Sequence, residues 1–126
     1  MRLESVQNAV DHASAAAAAL AELPRPMPAP PTFWSDQYDL KLRTIGVTHG
    51  SDATVIRGDP GSSSFSVVYL REGRVAAVES VNAVRDFAQG RILLAAAAPI
   101  ESARLANPDI PLRDLVLPAP KHVPAI

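Results

Sequence analysis

Two short stretches carry residue types that could bind a ligand or take part in catalysis. The first, Phe33-Trp34-Ser35-Asp36-Gln37-Tyr38-Asp39, holds the single tryptophan of the 126-residue chain. An indole combines a large flat apolar surface with one N–H donor, so Trp34 is a candidate site residue. Asp36 and Asp39 offer an acid–base pair as one interpretation, but neighbouring carboxylates in a loop are more typical of caps and turns.

The second stretch is Glu4-Ser5-Val6, at the predicted start of a helix. The free backbone N–H groups at a helix N-terminus and the partial positive charge of the helix dipole together favour an anion. Every helix start offers the same groups, so this pattern alone is not specific.

Other patterns argue against several kinds of chemistry. The three histidines, at positions 12, 49 and 122, lie far apart without an i, i+4 pair, so no metal site is predicted. The segment 58–64, Gly-Asp-Pro-Gly-Ser-Ser-Ser, lacks the lysine and the glycine frame of a phosphate loop and is predicted to be a hairpin loop. The chain has no cysteine, which excludes disulfides, thiol catalysis and a protein-ligated iron–sulfur cluster within it.

Composition indicates one globular domain without a polyanion-binding character. Hydrophobic residues make up 48% of the chain and charged residues 20%, and the formal net charge is -1. This balance gives no reason to expect nucleic-acid or membrane-surface partners. No apolar run reaches the roughly 18 residues that span a bilayer, and the first residues do not follow the signal-peptide pattern. We therefore expect a cytoplasmic protein.

The N-terminal part is predicted to be a helix from Leu3 to Leu23, with Ser5 as its N-cap. Its apolar residues recur at spacings of three and four, which form one narrow, mostly alanine stripe that needs a large surface to pack against. The prolines that follow predict an extended strap, for which a spacer role is favoured over a PxxP recognition motif. The stripe consists of Leu3, Val6, Val10, Ala13, Ala17 and Leu20, and the prolines are at positions 24, 26, 28, 30 and 31.

The middle of the chain alternates with the period of β-strands. Four strands are predicted, the third with apolar residues on both faces and therefore central in the sheet. Glu72-Gly73 is predicted to be a two-residue hairpin turn between the third and fourth strands. The predicted strands are Leu40–Arg43, Thr54–Arg57, Phe65–Leu70 and Arg74–Ser80.

A second helix is predicted from Ala83 to Ala98, with Asn82 as N-cap and Pro99 as terminator. Short helical turns are expected at Ser102–Leu105 and Leu112–Val116, and a loose tail from Pro118 onward. The fold class is α+β, a small antiparallel sheet of four to five strands with helices on one face, preceded by a separate N-terminal helix. The expected inner side of the second helix consists of Val84, Phe87, Ala88, Ile92 and Ala95.

Several motifs in colinear order resemble the bacterial FAD-dependent NAD(P)H:ferredoxin reductases of the putidaredoxin reductase and rhodocoxin reductase type. The stretch Arg2-Leu3-Glu4-Ser5-Val6-Gln7-Asn8-Ala9 is similar to the last helix of their FAD domain, and Phe33-Trp34-Ser35-Asp36-Gln37-Tyr38 to the opening of their C-terminal domain. Thr32 departs from this pattern, because several relatives carry another aromatic residue there. The match continues through Ile56-Arg57-Gly58, Phe65–Leu70, Val81-Asn82, Arg85-Asp86-Phe87 and Ile110–Leu115.

The resemblance implies FAD as cofactor, NAD(P)H as cosubstrate and an iron–sulfur ferredoxin as partner. It places Glu4, Ser5 and Val6 at the pyrimidine edge of the flavin, where N–H groups would stabilise negative charge. It places Trp34 beside the isoalloxazine and nicotinamide region. No residue is assigned as catalytic.

The sequence lacks both Gly-x-Gly-x-x-Gly fingerprints of such a reductase, so the resemblance covers only its C-terminal portion. The expected parts are a residual FAD-domain helix at 1–23, the strap at 24–32, the reductase C-terminal domain at 33–117 and the tail at 118–126. Two hypotheses follow. In the first, the chain is a piece of such a reductase that is inactive alone, either a fragment or a polypeptide that a separately encoded N-terminal part completes. In the second, the chain is a non-enzymatic docking module or homodimer left by truncation.

Overall fold

The computed structural model describes residues 2–116, and the predicted loose tail lies outside this range. Five antiparallel strands form one sheet with the order β1-β2-β5-β4-β3. The strands are β1 (Thr32–Gln37), β2 (Leu40–Gly46), β3 (Ala53–Gly58), β4 (Phe65–Arg71) and β5 (Arg74–Val81), and the helices are α1 (Val6–Leu20) and α2 (Val84–Ala96). Short 3-10 turns occupy Ser102–Arg104 and Leu112–Leu115. The predicted α+β class is confirmed, and no helix in the described range is long and apolar enough to cross a bilayer.

The alternation of β4 separates a covered face of the sheet from an open one. Ser66, Val68 and Leu70 point to the side of α2 and are at most 4% exposed. The core on this helix face is built from aliphatic residues of the sheet, α2 and the C-terminal turns. Its buried members are Ile45, Val68, Leu70, Val75, Val78, Leu93, Ile100, Leu105, Leu112 and Leu115.

The opposite side of the sheet, called here the open face, remains partly exposed. Its middle carries Phe65, Val67 and Tyr69 of β4, which are less buried than the residues Ser66, Val68 and Leu70 that alternate with them. Strand register extends this face across the whole sheet. By register this face carries Phe33, Ser35, Leu42, Thr44, Thr54, Ile56, Phe65, Val67, Tyr69, Ala77, Glu79 and Val81, of which Ala77 is buried.

Two predicted hairpin connections are confirmed. Glu72 and Gly73 join β4 to β5 with positive φ angles of 52° and 76°, as a type I′ turn requires. The segment 58–64 joins β3 to β4, and Asp59 accepts a hydrogen bond from the Gly61 N–H at 2.8 Å. This segment is a turn that closes on itself, as expected for a hairpin loop.

The predicted inner side of α2 is wrong at four of its five positions, and only Phe87 packs against the core as expected. Asp86, Gly90 and Leu93 are its buried residues, whereas Val84 and Ile92 are more than half exposed. Gly90 explains the rotation, because a Cβ at this position would lie 2.7 Å from Val78 Cγ2. The helix therefore approaches β5 along its glycine side, and the apolar residues at positions 84, 88, 92 and 95 face outward.

The predicted N-cap role of Asn82 is also wrong, because the cap position is Ala83, which has no side-chain cap bond. Asn82 has a positive φ of 49°. Its side chain accepts a hydrogen bond from the Lys41 N–H at 2.9 Å and donates to the carbonyls of Asp39 and Ser63 at 3.1 and 2.8 Å. Asn82 thus joins the β1–β2 turn to the β3–β4 loop instead of capping a helix.

The N-terminal helix lies beside the sheet with its apolar stripe turned outward. Ser5 caps α1 as predicted, and the helix ends at Leu20, three residues before the expected end. None of its residues is fully buried, and Val6, Val10 and Leu20 are all more than half exposed. Strap residues 25–29 line a cavity with Asn8, Asp11, His12, Ser14 and Ala15, on the more polar side of the helix.

The ionisation of Tyr69 tests in solution whether the open face has the contacts described here. Its hydroxyl donates a hydrogen bond to Glu79 Oε2 at 2.8 Å. Burial, followed by this bond and the charge of Glu79, raises the pKa of Tyr69 above its ordinary value of 10.0. As pH rises, the unfolded chain therefore loses the Tyr69 proton before the folded chain does. The contribution of this group to folded stability is fully present below pH about 10 and is lost as pH rises through the folded pKa.

A spectrophotometric titration of the folded chain should detect the ionisation of Tyr69, which has the raised pKa, as a step at high pH, called here the later step. We expect Tyr69→Phe to remove this step. It should also make stability less sensitive to pH above about 10. Tyr38→Phe, which changes the only other tyrosine, is the matched control and should retain the later step. A titration in which Tyr69→Phe and Tyr38→Phe behave alike would contradict the assignment.

Candidate functional site

The four residues predicted to meet a cofactor line one cavity. Glu4, Ser5 and Val6 come from the start of α1 and Trp34 comes from β1, and together they line a cavity of about 630 Å³. Its volume lies in the range of about 300–1,000 Å³ that is usual for small-molecule sites. The structure therefore brings two stretches together that are 28 residues apart in the chain, while their role in cofactor binding stays a prediction.

The start of α1 forms one wall of this cavity. Ser5 Oγ accepts a hydrogen bond from the Asn8 N–H at 3.1 Å, and Asn8 Nδ2 donates to the Leu3 carbonyl at 2.6 Å. These bonds fix the entry of the chain into the helix. The N–H groups of Val6 and Gln7 have no acceptor within the helix, because they belong to its first turn. Together with the helix dipole they give the cavity wall a partial positive charge.

Glu4 adds a carboxylate to the rim of the cavity. Its Oε1 lies 3.1 Å from Arg2 Nη2, and both side chains are largely exposed. An ion pair in such a setting contributes little to stability. The two side chains are therefore held only weakly, and the main-chain groups of residues 4–6 are the better-defined part of the site.

Ser5→Ala is expected to lower the stability of α1 by about 1 kcal/mol, because the Asn8 N–H loses its acceptor. Thermal unfolding followed by far-UV circular dichroism measures the change. Ser14→Ala is the control, since Ser14 is exposed within the same helix and alanine has the higher helix propensity. We expect the control to be neutral or stabilising, and an equal loss in both variants would rule out the cap as the cause.

Trp34 reaches the cavity from an edge strand. No strand was predicted before Leu40, but the segment 33–37 forms most of β1, where Trp34 lies opposite Arg43 of β2. Trp34 is 47% exposed. Arg43 Nη1 donates to Asp36 Oδ1 at 2.7 Å and to the Leu42 carbonyl at 2.9 Å, which ties β1 and β2 together beside the indole.

The acid–base interpretation of Asp36 and Asp39 gains no support from this geometry. Asp36 is engaged by Arg43, and Asp39 lies in the turn between β1 and β2. Neither residue lines the large cavity. A cap or turn role therefore describes Asp39, and a cross-strand ion pair describes Asp36.

Sequence reasoning missed other residues of the cavity. Asn8, Ala9 and His12 extend the lining along α1, and Phe33 stands next to Trp34. Their spacing at positions 5, 8 or 9, and 12 could have indicated one helix face. In the described part of the chain, no group of three or more histidine, aspartate or glutamate side chains could hold a metal ion.

Comparison with known proteins identifies the class of domain to which this fold belongs. The chain belongs to the family described as "Reductase C-terminal", which matches residues 32–116. The family predicted from the motifs is thereby confirmed.

The relatives are reductases that serve ferredoxins. The 5,5'-dehydrodivanillate O-demethylase ferredoxin reductase subunit of Sphingobium sp. is 48% identical over 115 residues, which cover 91% of this chain and 28% of that protein. Rhodocoxin reductase of Rhodococcus erythropolis is 42% identical over 113 residues, or 90% of this chain and 26% of the relative. The covalent putidaredoxin reductase–putidaredoxin complex matches with a TM-score of 0.83 and 36% identity, covering 91% of this chain and 28% of the matched chain. This chain thus spans less than a third of the length of these relatives.

Proposed function

We propose that the chain is the C-terminal part of an FAD-dependent NAD(P)H:ferredoxin oxidoreductase of the cytoplasm and is inactive alone. Its parts are then a helix of the FAD domain at 1–23, the strap at 24–32, the C-terminal domain at 33–117 and a tail at 118–126. The observation that carries the proposal is the shared cavity of Glu4, Ser5, Val6 and Trp34. An N-terminal reductase portion supplies the remaining walls.

The residues of the cavity fit the edge of a flavin ring. Bound FAD would supply the redox chemistry, in which a hydride is taken from NAD(P)H and electrons are released one at a time. The Val6 N–H at the helix start suits carbonyl oxygens and negative charge at the pyrimidine edge. Trp34 presents a flat apolar surface that excludes water from the neighbouring space. No metal ion is needed for these roles.

The same residues account for the proposed inactivity of the isolated chain. They contact at most one edge of the ring, and the sequence has no glycine-rich fingerprint for the pyrophosphate of FAD or NAD(P)H. Affinity for the dinucleotides must therefore come from the N-terminal reductase portion. Ferredoxin as the electron acceptor is supported by the relatives, one of which is captured in covalent complex with putidaredoxin.

A second candidate function is a non-enzymatic docking module or homodimer. It is favoured by one observation, the outward apolar stripe of α1, in which Val6, Val10 and Leu20 are exposed. Such a stripe can pair with a second copy as well as with a reductase partner. The two functions differ in whether the cavity meets a flavin.

Fluorescence of Trp34 separates the two functions, because this residue is the only tryptophan of the chain. The chain is titrated with FAD alone, and then with the FAD-loaded N-terminal portion of the Sphingobium reductase subunit. We expect no specific quenching in the first titration and strong quenching in the second. A Trp34→Phe chain mixed in the same way corrects for tryptophans of the partner. Absence of quenching in both titrations would refute the reductase function.

A further inference from the structure

Two residues with unusual backbone angles lie at the turn between β1 and β2. Gln37 pairs with Leu40, so residues 38 and 39 form a two-residue turn, in which Tyr38 has a φ of 56°. Asn82, which follows β5 directly, has a φ of 49°. Asparagine tolerates this left-handed region, whereas a bulky tyrosine is strained there. Strain of this kind persists only where surrounding contacts hold it, and it is common near functional sites.

Asn82 supplies contacts that hold this turn. Its side-chain oxygen accepts the Lys41 N–H at 2.9 Å, and its side-chain nitrogen donates to the Asp39 carbonyl at 3.1 Å. Its own backbone N–H donates to the Lys41 carbonyl at 3.1 Å. The side chain of Tyr38 is fully exposed, so hydrogen bonds rather than side-chain packing fix the turn. One carboxamide therefore binds the turn through both its acceptor and its donor.

The turn affects Trp34 because both belong to one hairpin. β1 lies at the edge of the sheet, with β2 as its hydrogen-bonded neighbour. Trp34 lies opposite Arg43 of β2, which in turn lies opposite Ser80 of β5. Ser80 is two residues before Asn82, so the turn contacts and the indole are held by neighbouring parts of the same strands. Asn82 itself does not line the large cavity, and it acts on the cavity only through this hairpin.

We infer that Asn82 is a positioning residue for Trp34, which fixes the strained turn between β1 and β2 and so holds the indole in one place beside the flavin edge. The inference rests on the proposed function and adds the residue that sets the geometry of one cavity wall. Such a wall must be rigid, because reacting groups need a defined arrangement. A displacement of about 1 Å can slow a reaction about 100-fold.

A second set of bonds offers a simpler role for Asn82. Its side-chain nitrogen also donates to the Ser63 carbonyl at 2.8 Å, and Ser64 Oγ donates to the Asn82 carbonyl at 3.0 Å. A residue that served only this loop between β3 and β4 would have no influence on Trp34. The strained φ of Tyr38 and the bonds to both Asp39 and Lys41 favour the positioning role. The Ser64 hydroxyl separates the two roles, because it bonds the Asn82 carbonyl and not the carboxamide.

The test compares Asn82→Gly with Ser64→Ala in the full 126-residue chain. Glycine keeps the positive φ without strain but removes the carboxamide. Ser64→Ala removes one bond on the loop side and leaves the turn bonds in place. Each isolated chain is examined by far-UV circular dichroism, by the emission maximum of Trp34 and by its quenching with acrylamide. The FAD-loaded N-terminal portion of the Sphingobium reductase subunit is then added, and flavin quenching of Trp34 and NAD(P)H-dependent reduction of ferricyanide are measured.

We expect Asn82→Gly to shift the emission maximum of Trp34 and to make the indole more accessible to acrylamide. In the assembled reductase it should weaken flavin quenching and lower kcat about 10-fold, which corresponds to a displacement of less than about 1 Å. KM for NAD(P)H should stay within about twofold, because dinucleotide affinity belongs to the N-terminal portion. Ser64→Ala should leave the Trp34 emission unchanged and kcat within about twofold.

Asn82→Asp provides the same comparison where Asn82→Gly does not fold. Aspartate tolerates the positive φ and keeps an acceptor for the Lys41 N–H, but it has no donor for the Asp39 carbonyl. We expect changes in the same direction as for Asn82→Gly and of smaller size.

The outcomes separate this inference from the proposed function. Unchanged emission, quenching and kcat in the Asn82→Gly chain would overturn the inference and leave the proposed function intact. Equal changes in Asn82→Gly and Ser64→Ala would assign Asn82 to the loop between β3 and β4 and would also overturn it. A raised KM with unchanged kcat would place the effect in dinucleotide binding, with the same consequence. Failure of the unchanged chain to be quenched by the FAD-loaded portion would overturn the proposed function and the inference with it.

Discussion

Arg57→Leu is expected to lower the free energy of unfolding by about 3–5 kcal/mol, because it leaves a buried carboxylate without its cation. Arg57 lies on β3 and is 1% exposed. Its Nε is 3.4 Å from Asp86 Oδ2 of α2, and Ser66 Oγ donates to the same oxygen at 2.8 Å. The other guanidinium nitrogens donate to the carbonyls of Leu105, Asn107 and Ile110 at 2.6, 3.1 and 2.8 Å.

This network joins β3, β4 and α2 to the segment 105–110. Its loss should therefore loosen that segment as well as the sheet. Urea unfolding followed by circular dichroism measures the effect. The Arg57→Leu/Asp86→Asn double variant should recover part of the loss, because the remaining side chain is neutral. Where Arg57→Leu is too unstable to measure, Arg57→Lys keeps the charge but not the planar group of donors, and should show a smaller loss.

Arg104→Gln is the matched control, since Arg104 pairs with Glu101 at 3.1 Å on the surface. An exposed pair of this kind contributes up to about 1 kcal/mol. Equal losses from Arg57→Leu and Arg104→Gln would show that burial does not set the strength of the Arg57 pair.

The Arg57–Asp86 pair also shows what the sequence could not reveal by spacing. Its two partners stand in two separate motifs, Ile56-Arg57-Gly58 and Arg85-Asp86-Phe87, which the resemblance matched without connecting them. They meet because β3 and the start of α2 lie at the same end of the helix face. Contacts between residues 29 positions apart depend on the packing of whole elements, and no local period records them.

Two signals that depend on a few neighbouring residues were reliable, although a third, the predicted Asn82 cap, was wrong. Ser5 caps α1 because its hydroxyl needs only the N–H three residues ahead, and Glu72-Gly73 turns because both φ angles are positive there. The second helix shows the opposite case. Its apolar period predicted the inner side, but the close approach of Gly90 to Val78 determined it. Helix orientation on a sheet follows from fit, which hydrophobic period alone does not capture.

The candidate site could be predicted from the sequence only in part. Neither the Glu4-Ser5-Val6 stretch nor the Trp34 stretch identifies a cofactor by itself. Only the family resemblance predicted that both stretches belong to one site. The strap then explains their proximity, because it runs back beside α1 and delivers Thr32 to the start of β1. The apolar stripe of α1, predicted to need a large surface, finds none within the described residues.

Gly46→Ala is expected to cost at least about 3 kcal/mol, the sum of a backbone penalty and a steric one. Gly46 ends β2 with a φ of +89°, where an L residue is strained. A Cβ would overlap the Ala76 carbonyl oxygen and lie 2.8 Å from Ala77 Cα. Both contacts are with backbone atoms, so β2 and β5 would have to separate.

The Gly73→Ala variant isolates the steric part of this loss. Gly73 has a similar φ of +76°, but a Cβ there would meet nothing within 4 Å. It should therefore lose only about 1–2 kcal/mol, the cost of the left-handed backbone. Urea unfolding of the two variants would show equal losses if backbone strain alone were responsible. The Gly46 N–H also donates to the Pro31 carbonyl at 2.9 Å, just before β1, so we expect Gly46→Ala to shift the emission of Trp34 and Gly73→Ala to leave it unchanged.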